Sequence, residues 1–74
     1  MYRQYTIQNT KLTKREVEVL KCLIDGDNNI KIAQKLSITL HTVKAHVSSI
    51  LVKLEVADRT QAVIKTLKYK LVKI

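Results

Sequence analysis

Two helical patterns follow each other closely in residues 29–54, which read NIKIAQKLSITLHTVKAHVSSILVKL. Ile32, Ala33 and Leu36 place apolar side chains on one face and predict a short helix over about 29–36. A second helix is predicted over about 40–54, because apolar residues recur at spacings of four, three and four and form a stripe roughly 60° wide. This second stripe consists of Val43, Val47, Ile50 and Leu54.

The connection between these helices is short, since only Ser37 and Ile38 precede Thr39, which is a good N-cap. Two short helices joined in this way form the helix-turn-helix pattern. Ala33 has a small side chain on the inner face and would let the following helix approach closely. The spacing alone is equally compatible with any small helical bundle.

Two further helices flank this unit. Thr13 and Glu16 form a capping box that starts a helix over about 14–25, and Gly26 follows it where a left-handed residue is expected. Its apolar stripe is predicted to be Val17, Leu20, Leu23 and Ile24. Asp58 and Gln61 form a second possible capping box before a fourth helix. The apolar residues of that helix are predicted to be Ala62, Val63, Ile64, Leu67 and Leu71.

Composition agrees with a compact all-α four-helix bundle. The chain has 74 residues, enough for one small domain and too few for a two-domain enzyme with a deep cleft. It contains one glycine and no proline, whereas a β protein would need more turn residues. We interpret residues 1–11 as a flexible arm or linker remnant and residues 12–74 as the domain.

Charge points to an anionic partner. The 14 Lys and Arg residues exceed the 6 Asp and Glu residues by eight, which gives a formal charge of +8 with neutral histidines. Nucleic acid and an anionic membrane are both compatible with this excess. The apolar runs are too short to span a membrane, and the N-terminus has no apolar segment typical of a secretory signal. A lone Cys22 excludes an internal disulfide and is compatible with a reducing cytoplasm.

The outer face of the predicted 40–54 helix favours duplex DNA. A solvated bundle face usually carries mixed charges, yet no acidic residue lies between Leu40 and Leu54. Small side chains, hydroxyls and one flanking lysine can enter a groove about 12 Å wide without repelling phosphates. This face consists of His41, Lys44, Ala45, Ser48, Ser49 and Val52.

Enzymatic and metal chemistry are not indicated. His41 and His46 lie roughly 140° apart around a helix and cannot share a metal. Cys22 is interpreted as a half-buried apolar residue, not a nucleophile. We therefore predict no catalytic residues, no metal and no cofactor. Single-stranded nucleic acid is bound by stacking bases on aromatic side chains, but two of the three tyrosines, Tyr2 and Tyr5, lie in the predicted arm, so duplex DNA is favoured over a single strand.

Six motifs, in this order and spacing, resemble the LuxR/FixJ/GerE-type DNA-binding domain over about residues 12–68. They are Leu12-Thr13-Lys14-Arg15-Glu16-Val17-Glu18-Val19-Leu20, Gly26 with Asn29, Ile32-Ala33, Thr42-Val43-Lys44-Ala45-His46, Lys53-Leu54 and Arg59-Thr60-Gln61-Ala62-Val63. The resemblance implies a bacterial transcription regulator that binds duplex DNA as a homodimer, with the third helix in the major groove and the fourth as dimer contact. It implies a cytoplasmic protein, with RNA polymerase as a further candidate partner.

The resemblance also suggests roles for individual residues. Lys44, Ala45 and Ser48 would lie at base edges, where a lysine can donate to guanine and an alanine can contact a thymine methyl. The candidate phosphate and flank contacts are Asn29, His41, Thr42, Ser49 and Lys53, with Lys31 and Lys35 as further positioning charges. Val63 and Leu67 are the candidate dimer contacts. Thr39 is expected to cap, and His46 to pack between helices.

Departures from the family pattern leave some points open. Asn28, Ile30 and Lys31 stand where relatives often have a hydroxyl residue, a basic residue and Glu, and Ser48 replaces a longer side chain. The chain can be a free-standing regulator or the output domain of a response regulator. The alternatives are a promoter-binding module like sigma-factor region four and a basic module that binds a protein or membrane through residues 65–73.

Overall fold

The computed structural model describes residues 12–71. Its helices are α1 (Lys14–Ile24), α2 (Asn29–Leu36), α3 (Leu40–Leu54) and α4 (Arg59–Tyr69), and the described part of the chain contains no strand. The all-α, four-helix prediction is confirmed. The predicted arm, residues 1–11, lies outside the described residues, as do residues 72–74.

Each helix begins at a polar N-cap, as predicted. Thr13 Oγ1 accepts from the Glu16 amide at 3.1 Å, and the Glu16 carboxylate accepts from the Thr13 amide at 2.9 Å, so the first capping box is complete. At α4, Asp58 Oδ1 accepts from the Gln61 amide at 2.9 Å. The described residues do not show the reciprocal bond from the Gln61 side chain, so the second box is a simple N-cap.

Each helix is followed by a left-handed residue that reverses the chain. Gly26 takes this conformation after α1, with φ of 85°, as its position predicted. After the other three helices the residue is not glycine: Ser37, Glu55 and Lys70 have φ of 56°, 59° and 54°. After α2, α3 and α4 the residue that follows the reversal is apolar and packs on the core, namely Ile38, Val56 and Leu71.

The end of α4 corrects a prediction. Leu71 was expected to continue the helix, with fraying near Lys70. Instead α4 ends at Tyr69, and the left-handed Lys70 turns the chain so that the Leu71 amide donates to Thr66 O at 3.0 Å. Leu71 is only 4% exposed and closes one end of the core.

Helix α3 lies at the centre of the domain and packs against α1, α2 and α4, while α1 also packs against α4. Because α1 touches two helices, its buried face is wider than the predicted stripe and includes Val19 and Cys22, while Val17 and Ile24 are half-buried. Cys22 was predicted to be half-buried but is buried. The core consists of Val19, Leu20, Cys22, Leu23, Ile32, Val43, Val47, Ile50, Leu54, Ala62 and Leu71.

Helix α4 buries only part of the predicted apolar set: Ala62 is buried and Val63 half-buried, as predicted, but Ile64 and Leu67 are not. Ala62 and Thr66 are buried, and the Thr66 hydroxyl donates to Ala62 O at 2.7 Å, which satisfies it inside the helix. Ile64 and Leu67 are 52% and 49% exposed. An apolar surface therefore remains uncovered on α4.

Candidate nucleic-acid interface

The outward side of α3 carries exposed His41, Lys44, Ala45 and Ser48. Val52, one turn beyond Ser48, is 76% exposed. Since α3 contains no acidic residue, a polyanion meets no repelling carboxylate from this helix. The predicted outer face is thus displayed at the surface, apart from Ser49.

Ser49 belongs to an inner polar cluster, together with Lys53 and Glu16. The Ser49 hydroxyl donates to Glu16 Oε2 at 2.7 Å, and Lys53 Nζ lies 2.8 Å from Glu16 Oε1. Both α3 side chains are half-buried between α3 and α1. The structure therefore does not bring Ser49 and Lys53 to the outer face with Lys44, and it gives them a packing partner that the sequence did not reveal.

The Glu16 carboxylate is only 5% exposed. Burial by itself would raise its pKa, but hydrogen bonds from Lys53, Ser49 and the Thr13 amide outweigh burial and lower the pKa from 4.5 to about 2. Glu16 is therefore ionised under neutral conditions. Its charge holds the N-terminus of α1 against the second half of α3.

At the start of α3, Thr39 forms the N-cap and Thr42 is left as the candidate phosphate contact. Thr39 Oγ1 accepts from the Thr42 amide at 3.1 Å and donates to Thr42 Oγ1 at 2.9 Å, so Thr39 is a cap. Thr42 Oγ1 is an acceptor in this pair, which leaves its own proton available to another acceptor. A phosphate near the start of α3 is one such acceptor.

An open groove of about 680 Å³ runs between α3 and the N-terminal ends of α2 and α4. It brings together Asn29, Lys44 and Ser48, three of the residues that the sequence singled out. Arg59 lines the same groove, and its guanidinium donates to Asn29 Oδ1 and, at 3.0 Å, to the Asp27 carbonyl. Arg59 was recognised only as part of a motif, because 30 residues separate it from Asn29 in sequence.

The two lysines of α2 are placed differently. Lys31 is exposed, as a positioning charge requires. Lys35 Nζ lies 2.6 Å from Asp27 Oδ2 and 3.8 Å from Asp25 Oδ2, and the hydrogen bond to Asp27 raises the pKa of Lys35. Its charge is thus partly neutralised by the loop before α2.

The remaining predicted side chains have structural positions. His46 is half-buried beside the core stripe of α3. Burial raises the pKa of the Cys22 thiol, which makes it a poorer nucleophile at neutral pH. Among residues 12–71, no group of three or more His, Cys, Asp or Glu side chains is arranged to hold a metal ion. The described helices include none long and apolar enough to cross a membrane.

A four-helix domain with a central helix-turn-helix and an acid-free outer helix face defines a DNA-binding domain of the helix-turn-helix class. Residues 10–66 match the family of bacterial regulatory proteins, luxR family, and the chain belongs to this family. Its fold and family make it a DNA-binding domain of a transcription regulator, a class defined by DNA binding and not by catalysis.

The similar proteins include the response regulator protein VraR of Staphylococcus aureus, Staphylococcus saprophyticus and Staphylococcus epidermidis. Each is 52% identical to this chain over 61 residues, which cover 82% of this chain. The matched segment spans 29% of each relative's length. The similarity therefore concerns one part of these longer proteins.

Proposed function

We propose that this domain binds specific sequences in duplex DNA with α3 in the major groove. The observation that carries the proposal is the surface formed by Lys44, Ala45 and Ser48, which are all exposed on a helix without acidic residues. A major groove about 12 Å wide admits a helix with such short side chains. Lys44 donates to guanine O6 or N7, Ala45 contacts a thymine methyl, and Ser48 donates to or accepts from a base edge.

The DNA backbone is held beside this surface. Asn29 and Thr42 lie near the N-terminal ends of α2 and α3, where amide dipoles favour an anion. His41 and Lys31 are exposed and extend the polar flank. Ser49 and Lys53 support α3 through Glu16 and are left out of the direct contacts in this proposal.

The domain acts as a dimer through α4. Leu67 and the neighbouring Ile64 expose about half of their side-chain surface, and Val63 is half-buried beside them. An apolar surface of this kind is better buried against a second copy than left in water. Two copies would then occupy half-sites about one helical turn, near 10 bp, apart.

We place this domain as the DNA-binding output part of a regulator of the response-regulator type. The support is its 52% identity to part of longer proteins that carry that name. In this role it works in the cytoplasm and acts on promoters, where RNA polymerase is the other large partner.

Selection of bound duplexes from a random library tests the proposal most directly. We expect a two-fold symmetric motif with half-sites near 10 bp apart, and an affinity whose logarithm falls linearly with the logarithm of the salt concentration. Anionic vesicles that bind more tightly than any selected duplex would overturn the proposal. Recovery of a single asymmetric site would overturn the dimer alone.

A further inference from the structure

Arg59 occupies an electrostatically unfavourable position. It is the first residue of α4, where a positive charge opposes the helix dipole. Its guanidinium also reaches the N-terminal end of α2, by donating to Asn29 Oδ1 and to the Asp27 carbonyl. Two positive helix ends therefore meet around one cation. The Asp58 carboxylate, which caps α4 and lines the adjoining groove, offsets part of this positive charge. An anion in the groove would add to this compensation.

The chemistry of the guanidinium determines how Asn29 is oriented. Arginine has five donors and no acceptor, so the carboxamide must present its oxygen to Arg59. The Nδ2 group, which carries two donors, then lies on the other side of the carboxamide. No residue among 12–71 accepts a hydrogen bond from this group.

The same side chain lines the groove that contains Lys44 and Ser48. A carboxamide free to rotate would alternate between donor and acceptor, and its acceptor orientation repels a phosphate oxygen. The bond from Arg59 removes that orientation before DNA arrives. Preorganisation of this kind reduces the ordering cost of binding.

We infer that Arg59 is a positioning residue for DNA binding, which holds the Asn29 carboxamide so that its Nδ2 group donates to a backbone phosphate. The inference rests on the proposed function, because it specifies how Asn29 acts in the DNA complex. Since Arg59 belongs to α4, it also ties the proposed dimer helix to the helix-turn-helix unit. The orientation of a DNA contact thus depends on a residue outside that unit.

An isosteric change separates the two inferred roles of Asn29, which are to accept a hydrogen bond from Arg59 and to donate one to a phosphate. Asn29→Asp keeps an oxygen for Arg59 but removes both donors, so the free energy of unfolding should stay equal or rise. Affinity of the 74-residue chain for a duplex recovered by selection should fall by about tenfold or more. Asn28→Asp is the matched control, because it adds the same charge one residue earlier and still caps α2 through the Lys31 amide. Its affinity should fall clearly less.

A double-mutant cycle tests whether Arg59 acts through Asn29. Asn29→Ala and Arg59→Ala should each weaken binding by about tenfold, and the double variant should be no weaker than either single variant. The slope of log affinity against log salt should stay nearly unchanged in Asn29→Ala, because a neutral carboxamide neutralises no phosphate and releases no counterion. A merely structural role for Arg59 would lower the free energy of unfolding without this non-additivity in DNA binding.

Each outcome decides the inference. A double variant about a hundredfold weaker, the product of the single effects, would show that Arg59 acts independently of Asn29. Equal binding by Asn29→Asp and Asn28→Asp would show that the Nδ2 donor has no role, and this pair decides the matter if Arg59→Ala fails to fold.

Lys44→Ala identifies which proposal fails: if it weakens binding while the Asn29 variants do not, only the inference is overturned. A wild-type chain that binds no duplex overturns the proposed function and the inference with it.

Discussion

At the scale of single residues, α3 carries two Lys–Ser pairs in different environments. Lys44 and Ser48 are exposed, whereas Lys53 and Ser49 are half-buried and bonded to the Glu16 carboxylate. The two pairs lie on opposite flanks of α3, about equally far from its core stripe, so residue type and distance from the stripe do not determine which side chains can meet DNA. The partner on another helix makes the difference.

Lys44→Ala tests whether the exposed Lys44 contacts a base, as proposed. We expect affinity for a selected site to fall by about 1–3 kcal/mol, with relaxed preference at one base pair, because the proposed function places the lost donor at a base edge. Competition binding against duplexes altered at each position measures both effects. Lys21→Ala removes the same charge from an exposed position on α1 outside the groove and should leave base preference unchanged. An equal loss of affinity on every duplex would show that Lys44 contacts only the backbone.

Because of Glu16, the free energy of unfolding of the domain should decrease at acidic pH. Its pKa is about 2 in the folded chain against 4.5 when unperturbed, so its contribution is fully present above pH 4.5 and is lost as the pH falls from 4.5 toward 2. At about 1.4 kcal/mol per pH unit, the loss amounts to at most roughly 3.5 kcal/mol. Urea unfolding of the wild type and Glu16→Gln across this range measures it.

Glu16→Gln should be less stable at neutral pH, and the difference from wild type should shrink as the pH falls through this window. Glu18→Gln, which removes an exposed carboxylate from the same helix, retains Glu16 and should keep the acid-dependent loss. Parallel curves for the wild type and Glu16→Gln would contradict the prediction.

At the scale of elements, the four helices share one plan: a polar cap begins each, and a left-handed residue follows each. This plan keeps the connections short. It also places strain at Ser37, Glu55 and Lys70, because a side chain in the left-handed region costs about 1–2 kcal/mol. Only the reversal after α1 uses glycine, which tolerates this conformation without such a cost.

Glu55→Gly should stabilise the domain by about 0.5–1 kcal/mol. Glycine relieves the backbone strain at φ of 59°, and part of this gain is offset by greater freedom of the unfolded chain. Glu55→Ala removes the carboxylate from the C-terminus of α3 but keeps Cβ, so it separates the electrostatic effect from the backbone effect. Urea midpoints compare the three proteins. Equal stability of the alanine and glycine variants would assign the whole effect to charge.

At the scale of the whole molecule, α3 is held from three sides and presents its fourth side outward. Polar links reinforce the apolar packing on two of those sides. Glu16 joins α1 to α3, and Lys65 Nζ donates to Leu54 O at 2.6 Å, which joins α4 to the end of α3. The exposed face of α3 is therefore carried on a helix held by three neighbours, and α4 exposes the apolar surface that is proposed as the dimer contact.

Leu67→Glu tests the proposed dimer. Leu67 is 49% exposed, so a charge there should change the stability of the monomer little but should disrupt an apolar contact between copies. Binding to a duplex with paired half-sites should weaken by about tenfold or more, while binding to one half-site should remain. Sedimentation with each duplex measures the stoichiometry. Equal losses on both duplexes would indicate that α4 is not the dimer contact.

The amino-acid sequence was sufficient to predict the helices, their caps and most of the exposed face of α3. These features depend on interactions within a few residues, namely the apolar spacing, the hydrogen bonds from position i to i+3 and the acid-free run from Leu40 to Leu54. Only the tertiary structure placed Ser49 and Lys53 on Glu16, joined Arg59 to Asn29 and turned Leu71 into the core. The Glu16 and Arg59 contacts join residues more than 25 positions apart, and local spacing carries no information about which distant helix a polar side chain faces. Leu71 lies beside α4, but its direction depends on a left-handed Lys70 that residue type does not predict.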